Sequence, residues 1–526
     1  MRFIKALIVF FWDKSSADSS SIVFYHLQGA AAGDKRVTEN SHMLINVKQQ
    51  RRYQSCLFYM QKFKPVITDQ LFLLPPSIED FVPAGHLARV VNDIVDTIDV
   101  SAIEKKYSML GQKSYHPHLM LKLLFYGYCT GVRSGRKIAA ACQQDTAYMF
   151  LACMYKPDFR TVNDFRKDNI SFVHQCFSHI VQLCKQLGMA KAGTLILDGT
   201  KLRANANGNQ TRNKEQYEQW LCKVEDDITD MLNEAASNDE AEDKLYGNKR
   251  GDEIPKELHS KQKLKERIKA ALEQIKDEKQ RINLTDNDAK YIMGKTGIDT
   301  NYNCQAAITE DGIIVGAYTS NNPSDRSETI RSIETAEETS KEKYTNIIAD
   351  SGYASYSHFE TLHNSDRDIY MPDQAMLTEI EDEKNPYHRN HFIYNKEKNT
   401  FTCPEKQELI YSRKSSSMKR NQQVDIYVCK SCSACDKQQI CTKGKNRQIN
   451  VEKREWLRKK IRERLNSVEG KIIYRKRMLI ETIFGIIKHN LGYLKLHLRG
   501  IEKTTAEWQL ICIGYNIKRL HKLKLS

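Results

Sequence analysis

From Leu87 the apolar positions fall at Leu87, Val90, Val91, Ile94 and Ile98, spacings of three and four that put one stripe on one face of a helix. Pro75 and Pro76 supply the turn before it. The same period runs through HPHLMLKLLFYGYCTG, GRKIAAACQQDTAYMFLACMY, FRTVNDFRKDN and SFVHQCFSHIVQLCKQL, predicting an all-helical N-terminal unit over residues 60–190. At residue 194 the period switches. TLILD is a short apolar run, which predicts a strand closed by Asp198. CQAAIT and GIIVGAYTS flank the turn Glu310-Asp311-Gly312 as the arms of a hairpin. RSETIRSIETAEETSKEK predicts a helix, NIIAD a further strand ending in Asp350, and a short strand follows at Ile369–Met371. Helical patterning resumes near Arg454, and YRKRMLIETIFGIIKHN, residues 474–490, predicts one continuous helix.

Two stretches interrupt this α/β order. Residues 209–285 are highly charged around QWLCKVEDDITDML and QKLKERIKAALEQIKDEKQRI, which predicts a helical hairpin or short coiled coil inserted into a loop. Residues 373–452 hold the only close cluster of cysteines and form a second insertion. The core is therefore expected in three pieces, 191–208, 286–372 and 453–526. Residues 1–59 lack sustained periodicity and read as a poorly ordered leader, with Met60 a candidate natural start. The apolar run from Ala6 to Trp12 is short, meets Asp13 at once and has no small-residue cleavage site, which argues against a secretory signal. No run approaches the roughly 18 apolar residues of a membrane span.

Charge narrows the choice of partner. The 526 residues carry a formal net charge of +15, which favours a polyanion such as DNA. The excess is localised: residues 451–526 hold 19 Lys and Arg against 7 Glu and no Asp. Within the helical unit, RKIAAACQQDTAYMFLACMYKPDFRTVNDFRKDN, with Arg160, Arg166 and Lys167, fits either a helix-turn-helix DNA reader or a plain bundle with its charges in water. The 14 cysteines are otherwise scattered, which fits a reducing cytoplasm better than a secreted disulfide framework.

On a straight helix Tyr474, Arg477, Glu481 and Lys488 lie at offsets of 0, 3, 7 and 14 and share one face. Such a face can hold a metal beside a phosphate backbone, or it can be a solvated salt-bridge stripe. The strand-end acids Asp198 and Asp350 give Glu481 a context. Three hard carboxylates in an open site select Mg²⁺ or Mn²⁺, and two such ions about 4 Å apart can activate a water or 3′-hydroxyl in phosphoryl transfer. An aspartate after a strand is otherwise often just a turn or helix cap. The order strand, hairpin, helix, strand, helix with acids at these places is a ribonuclease-H-like layout.

The spacing of Tyr474, Arg477, Glu481 and Lys488 resembles the YREK signature of DDE transposases of bacterial insertion sequences, in the insertion-sequence-four superfamily. LDGTKLRANAN, with Asp198, and IIADSGYAS, with Asp350, resemble that family's first and second acid motifs. QLFLLPPSIEDFVPAGHLARVV, YHPHLMLKLLFYGYCTG and PDFRTVNDFR resemble the helical domain of one subgroup, and NYNCQAA resembles its second strand, so the likeness covers roughly residues 60–520. The resemblance implies a ribonuclease-H-like core carrying a helical and a Cys-rich insertion, with divalent metal at Asp198, Asp350 and Glu481. It also implies DNA cleavage and strand transfer at element ends, with Tyr474, Arg477 and Lys488 on DNA near the cut, paired ends held by a homodimer, and work on the bacterial nucleoid in the cytoplasm. Two alternatives stay open: a ribonuclease-H-like nuclease that cuts without joining, and a catalytically inactive, transposase-derived DNA-binding protein.

Cys403, Cys429, Cys432, Cys435 and Cys441 are a separate matter. The CxxCxxC spacing suits a structural Zn²⁺, while five thiols for a four-coordinate ion leave one spare; free thiols in a reduced loop are the alternative. Cysteine ligands are wrong for Mg²⁺ chemistry.

Overall fold

The computed structural model describes residues 77–107, 113–246, 256–278, 280–294, 297–373, 385–417 and 422–524. The leader expected at 1–59 lies outside the described residues. The helical unit comprises α1 (Leu87–Asp96), α2 (Pro117–Thr130), α3 (Gly135–Gln144), α4 (Thr146–Leu151), α5 (Phe159–Asp168) and α6 (Ile170–Gln186). In α1 the stripe at Val90, Val91, Ile94 and Val95 is buried, and the His86 ring nitrogen accepts from the Ala88 N–H at 3.2 Å to cap the first turn. Helix α2 is buried on nearly every face, and the long C-terminal helix α14 (Ile501–Lys524) packs against it. Arg166 turns inward: its guanidinium donates to the Arg133 carbonyl at 3.0 Å and to the Asn163 side chain at 3.2 Å. This residue holds the bundle together rather than facing a groove.

The main sheet has six strands. Its order is β2 (Lys290–Gly294), β3 (Gly297–Thr309), β1 (Gly193–Arg203), β5 (Tyr344–Ile348) and β6 (Asp368–Tyr370), with β4 (Ile314–Ser320) also paired to β3. The predicted hairpin is β3 and β4, turned at Gly312 with φ +78°. Helix α9 (Thr329–Ser340) then leads into β5. Strand β1 does not stop at Asp198: it continues antiparallel to β3 as far as Arg203, with Asp198 opposite Ala306. The apolar run ended there because the next residues change neighbours, from the short parallel strand β5 to β3 alone. Periodicity reports burial, and here it registered the end of a neighbour instead of the end of the strand.

Helix α14 joins the helical unit to the sheet. Residues 506–516 are buried on every face, as expected of a helix enclosed by protein. It contacts α2, α6 and β4, and the Asn516 amide brackets β4 by accepting from the Ile314 N–H at 3.0 Å and donating to the Ile314 carbonyl at 2.8 Å. Apolar residues from α1, α2, α6, β1, β3, β4, β5 and α14 form one continuous core.

The charged insertion is a helical hairpin, α7 (Lys214–Tyr246) and α8 (Lys256–Gln274). It has its own cluster of Tyr217, Val224, Ile228, Ile268 and Ala271, and cross-helix pairs at Lys261–Asp227 (2.7 Å) and Lys265–Glu225 (2.9 Å). The Cys-rich insertion builds a five-stranded antiparallel sheet in the order β11 (Gln448–Glu452), β10 (Gln422–Cys429), β9 (Glu408–Ser417), β8 (Thr400–Thr402), β7 (Ile393–Asn395). Among the described residues, no helix is long and apolar enough to cross a membrane.

The segment expected as one helix at 474–490 is three pieces: α12 (Val468–Arg475), α13 (Met478–Gly485) and a π-helical turn over Ile486–Asn490. Between α12 and α13 the Arg477 N–H bonds to the Tyr474 carbonyl at 3.0 Å and the Ile480 N–H to the Arg477 carbonyl at 3.2 Å, tightening the helix to three-residue steps. The later turn widens it, with the Leu491 N–H reaching the Ile486 carbonyl. Each change of pitch rotates the downstream residues about the helix axis, so a face drawn at 100° per residue does not carry from Tyr474 to Lys488.

Candidate active site

Strands β1 and β5 run parallel with Ile196 opposite Ile348. Continuing that register two places brings Asp198 level with Asp350. Asp198 is flanked by the buried Leu195, Ile196 and Leu197, and its carboxylate accepts from the Gly199 N–H at 2.8 Å. Asp350 caps the turn Ser351–Tyr353 by accepting from the Gly352 N–H at 2.9 Å. Burial first, then the charge of Asp350, push Asp198 up to about 7, against the Gly199 N–H and the Arg477 guanidinium. Asp350 is raised as well, chiefly by burial and also by the nearby charge of Asp325, with the Gly352 N–H and Arg477 opposing.

Arg477 links the acids. Its guanidinium meets the half-exposed Glu481 carboxylate at 2.7 Å and acts on both Asp198 and Asp350. Burial works against its charge, but Glu481, Tyr474 and Asp198 outweigh this and raise its pKa. The Tyr474 hydroxyl lies in the same field: burial raises its pKa, Arg477 opposes, and Asp350 and Glu481 add to the rise. Lys488 donates to the Lys201 carbonyl on β1 at 3.1 Å, three residues along the strand from Asp198. Tyr474, Arg477 and Glu481 therefore stay together with the two aspartates, while Lys488 braces the strand that carries Asp198.

Beneath Asp198 lies a polar cluster that the sequence reading missed. Asp325 receives hydrogen bonds from Asn303 at 2.6 Å, Gln305 at 2.8 Å and Lys201 at 3.0 Å, and the Tyr353 hydroxyl donates to Gln305 at 2.5 Å. A side chain at Gly199 would put its Cβ 2.5 Å from the Gln305 amide and 2.6 Å from an Asp325 oxygen, so only glycine fits beside Asp198. Asn303 and Gln305 alternate within NYNCQAA on one face of β3, which was a visible signal. Asp325 gave none, since a single acid in NPSDRSE reads as a turn.

Among the described residues, no three His, Cys, Asp or Glu side chains form a group that could hold a metal ion. The chemistry of the donor set nonetheless suits a hard cation at the two aspartates: they are partly buried, level with one another and mutually destabilising when ionised. Glu481 is held by Arg477 instead. Two partly buried carboxylates, one within β1 and one just past β5, beside a helical segment that carries Tyr474, Arg477 and Glu481, define a class of site suited to phosphate-ester chemistry.

Comparison with protein families agrees with that class. Residues 402–521 match a family described as Transposase DDE domain, and residues 76–168 match one described as Transposase domain (DUF772). No curated protein matches the chain. The two matches support a likeness to transposases, the first of the DDE type. The first match takes in Tyr474, Arg477, Glu481 and Lys488 together with the five clustered cysteines; Asp198 and Asp350 lie outside both.

Proposed function

We propose that this chain is a transposase with a ribonuclease-H-like core of the insertion-sequence-four type, and that it cleaves DNA at the ends of an insertion sequence and joins those ends to target DNA. The observation that carries the reading is that Asp198 and Asp350 each lie two residues past the last paired residues of adjacent parallel strands and act on one another, with Arg477 beside both and bound to Glu481. Asp198, Asp350 and Glu481 would hold two Mg²⁺ or Mn²⁺ ions, and bound metal would supply activation of the attacking hydroxyl and relief of charge on the leaving oxygen. The chain's own contribution is positioning. Arg477 and Tyr474 lie beside the acids and would orient the scissile phosphate, a fork of guanidinium donors suiting a phosphate better than a point charge does. Lys488 keeps β1 in place through the Lys201 carbonyl and adds positive charge along the DNA path. The helical unit at 77–186 would bind DNA outside the cut, two copies holding paired ends in a homodimer.

The test uses the inverted repeats flanking the gene. Oligonucleotides ending in those repeats are incubated with the full chain and Mg²⁺, and both nicked and joined products are scored. The reading expects both products from the wild type and neither from Asp198→Ala or Asp350→Ala, with DNA binding retained. Undiminished cleavage by Asp198→Ala would remove the site. Nicking without joining would select a nuclease, and binding without either product an inactive derivative.

A further inference from the structure

The Cys-rich sheet gathers five thiols about one cavity, apart from the nucleic-acid chemistry, although as their side chains are placed no three of them form a ready metal-holding group. Cys403, Cys429, Cys432, Cys435 and Cys441 all line one cavity of about 20 Å³, which they share with Arg447. That volume is close to one water molecule, so the space suits an ion and excludes an organic ligand. The five sulfurs come from three separate places. Cys403 opens a tight turn closed by the Lys406 N–H on the Cys403 carbonyl at 2.8 Å, with Lys406 in the left-handed region at φ +59°. Cys432 and Cys435 sit at the two ends of one 3₁₀ turn, and Cys441 ends a short helix at Gln438–Cys441. Cys429 is different. It is paired within β10 opposite Leu409 and is 1% exposed against 8% for Cys432, deeper in the apolar cluster that holds both.

Two sulfurs already accept backbone hydrogen bonds of the kind that orient thiolates: the Gln407 N–H reaches Cys403 at 3.2 Å and the Arg447 N–H reaches Cys432 at 3.3 Å. Arg447 adds a cation. It donates to the Cys441 and Tyr387 carbonyls. A guanidinium on the cavity wall, its Nε buried and without a partner among the described residues, would offset part of the double negative charge of a tetrathiolate centre.

We infer that Cys403, Cys432, Cys435 and Cys441 bind one structural Zn²⁺, and that Cys429 is not a ligand but a neutral thiol packed behind Cys432. Binding releases four protons, one from each thiol, and requires the four side chains to rotate toward the cavity centre while the backbone turns stay as they are. The metal would tie the 403 turn to the 432–441 segment, linking β8 and β9 to the far end of β10.

The full chain, purified without added chelator, is assayed for metal and examined by X-ray absorption at the zinc edge. The expected result is one zinc per chain with four sulfurs at about 2.3 Å. Cys429→Ser should keep that zinc, and Cys441→Ser should retain well under half of it. Iron in place of zinc, no metal in the wild type, nitrogen or oxygen in the first shell, or loss of zinc on Cys429→Ser would each overturn the assignment. The absorption measurement needs no variant, so a misfolded Cys→Ser protein cannot mask the answer. DNA cleavage plays no part in the readout, which keeps this outcome separate from that of the transposition assay.

Discussion

Gly514→Ala sets local helix propensity against tertiary packing, with opposite signs. Gly514 lies within α14, where alanine should gain about 1 kcal/mol over glycine in a helix interior. The built Cβ, however, would stand 2.7 Å from the carbonyl carbon and oxygen of Tyr128 and 3.0 Å from the Cys129 nitrogen, all backbone of α2. Ordinary contact begins near 3.4 Å, so the helices must part by about 0.7 Å, the difference between 3.4 and 2.7 Å. No flexible side chain can yield there. Overpacking of this kind costs about 1–3 kcal/mol, and rigid backbone on the receiving side argues for about 2–3, leaving a net loss of about 1–2 after the propensity gain. Gly485→Ala is the control: it lies at the end of α13 with nothing within 4 Å of its Cβ, and should gain about 0.5–1 kcal/mol. Guanidinium unfolding followed by tryptophan fluorescence, to which the fully buried Trp508 contributes, measures both. A Gly514→Ala protein as stable as the wild type would refute the close approach of α14 and α2.

Three further outcomes rest on named contacts. Asn516→Ala strips the Ile314 N–H and carbonyl of their buried partners and should cost about 1–3 kcal/mol for each group left unpaired, with faster amide exchange at Ile314; unchanged exchange would contradict the bracket. Arg477→Ala should slow end cleavage at least about tenfold, near 1.4 kcal/mol, and Arg477→Lys should restore it only in part, because an ammonium cannot fork between Glu481 and a phosphate. Full restoration by lysine would mean that charge alone matters. Chelation of divalent metal should stop cleavage while leaving DNA binding that weakens linearly with the logarithm of salt concentration; cleavage that persists in chelator would exclude the proposed metal role.

Much of the fold was legible because its signals are local. The stripe in α1, the hairpin about Gly312, the two-helix insertion and the strand before Asp350 each declare themselves within a dozen residues. The misreadings concern quantities a local window does not contain. The length of β1 depends on β3, almost 100 residues downstream, which keeps pairing with it after β5 has stopped. The pitch of the segment after Tyr474 changes twice with φ and ψ still helical, and Gly485 at the second change keeps φ −60° and ψ −48°, so it does not read as a break. The inward turn of Arg166 depends on the Arg133 carbonyl, which no charge count reveals.

The site shows the same division between residue types and their partners. Asp198, Asp350 and Glu481 were chosen for chemistry that three carboxylates can perform together, yet the group that joins them here is a cation, Arg477, drawn to all three. Asp325 explains why this is tenable. It holds Lys201 at 3.0 Å and adds negative charge near both aspartates, which the Arg477 guanidinium opposes. A guanidinium that must be shared is held less firmly by any one partner than an isolated ion pair would be. Glu481, half-exposed at the edge of the cluster, is the partner from which it can part at least cost in desolvation, since water can replace the lost contact there and cannot at the more deeply buried Asp198. If the proposed function holds, exchange of Glu481 for a phosphate on Arg477 is therefore the rearrangement this arrangement of charges would favour on DNA binding.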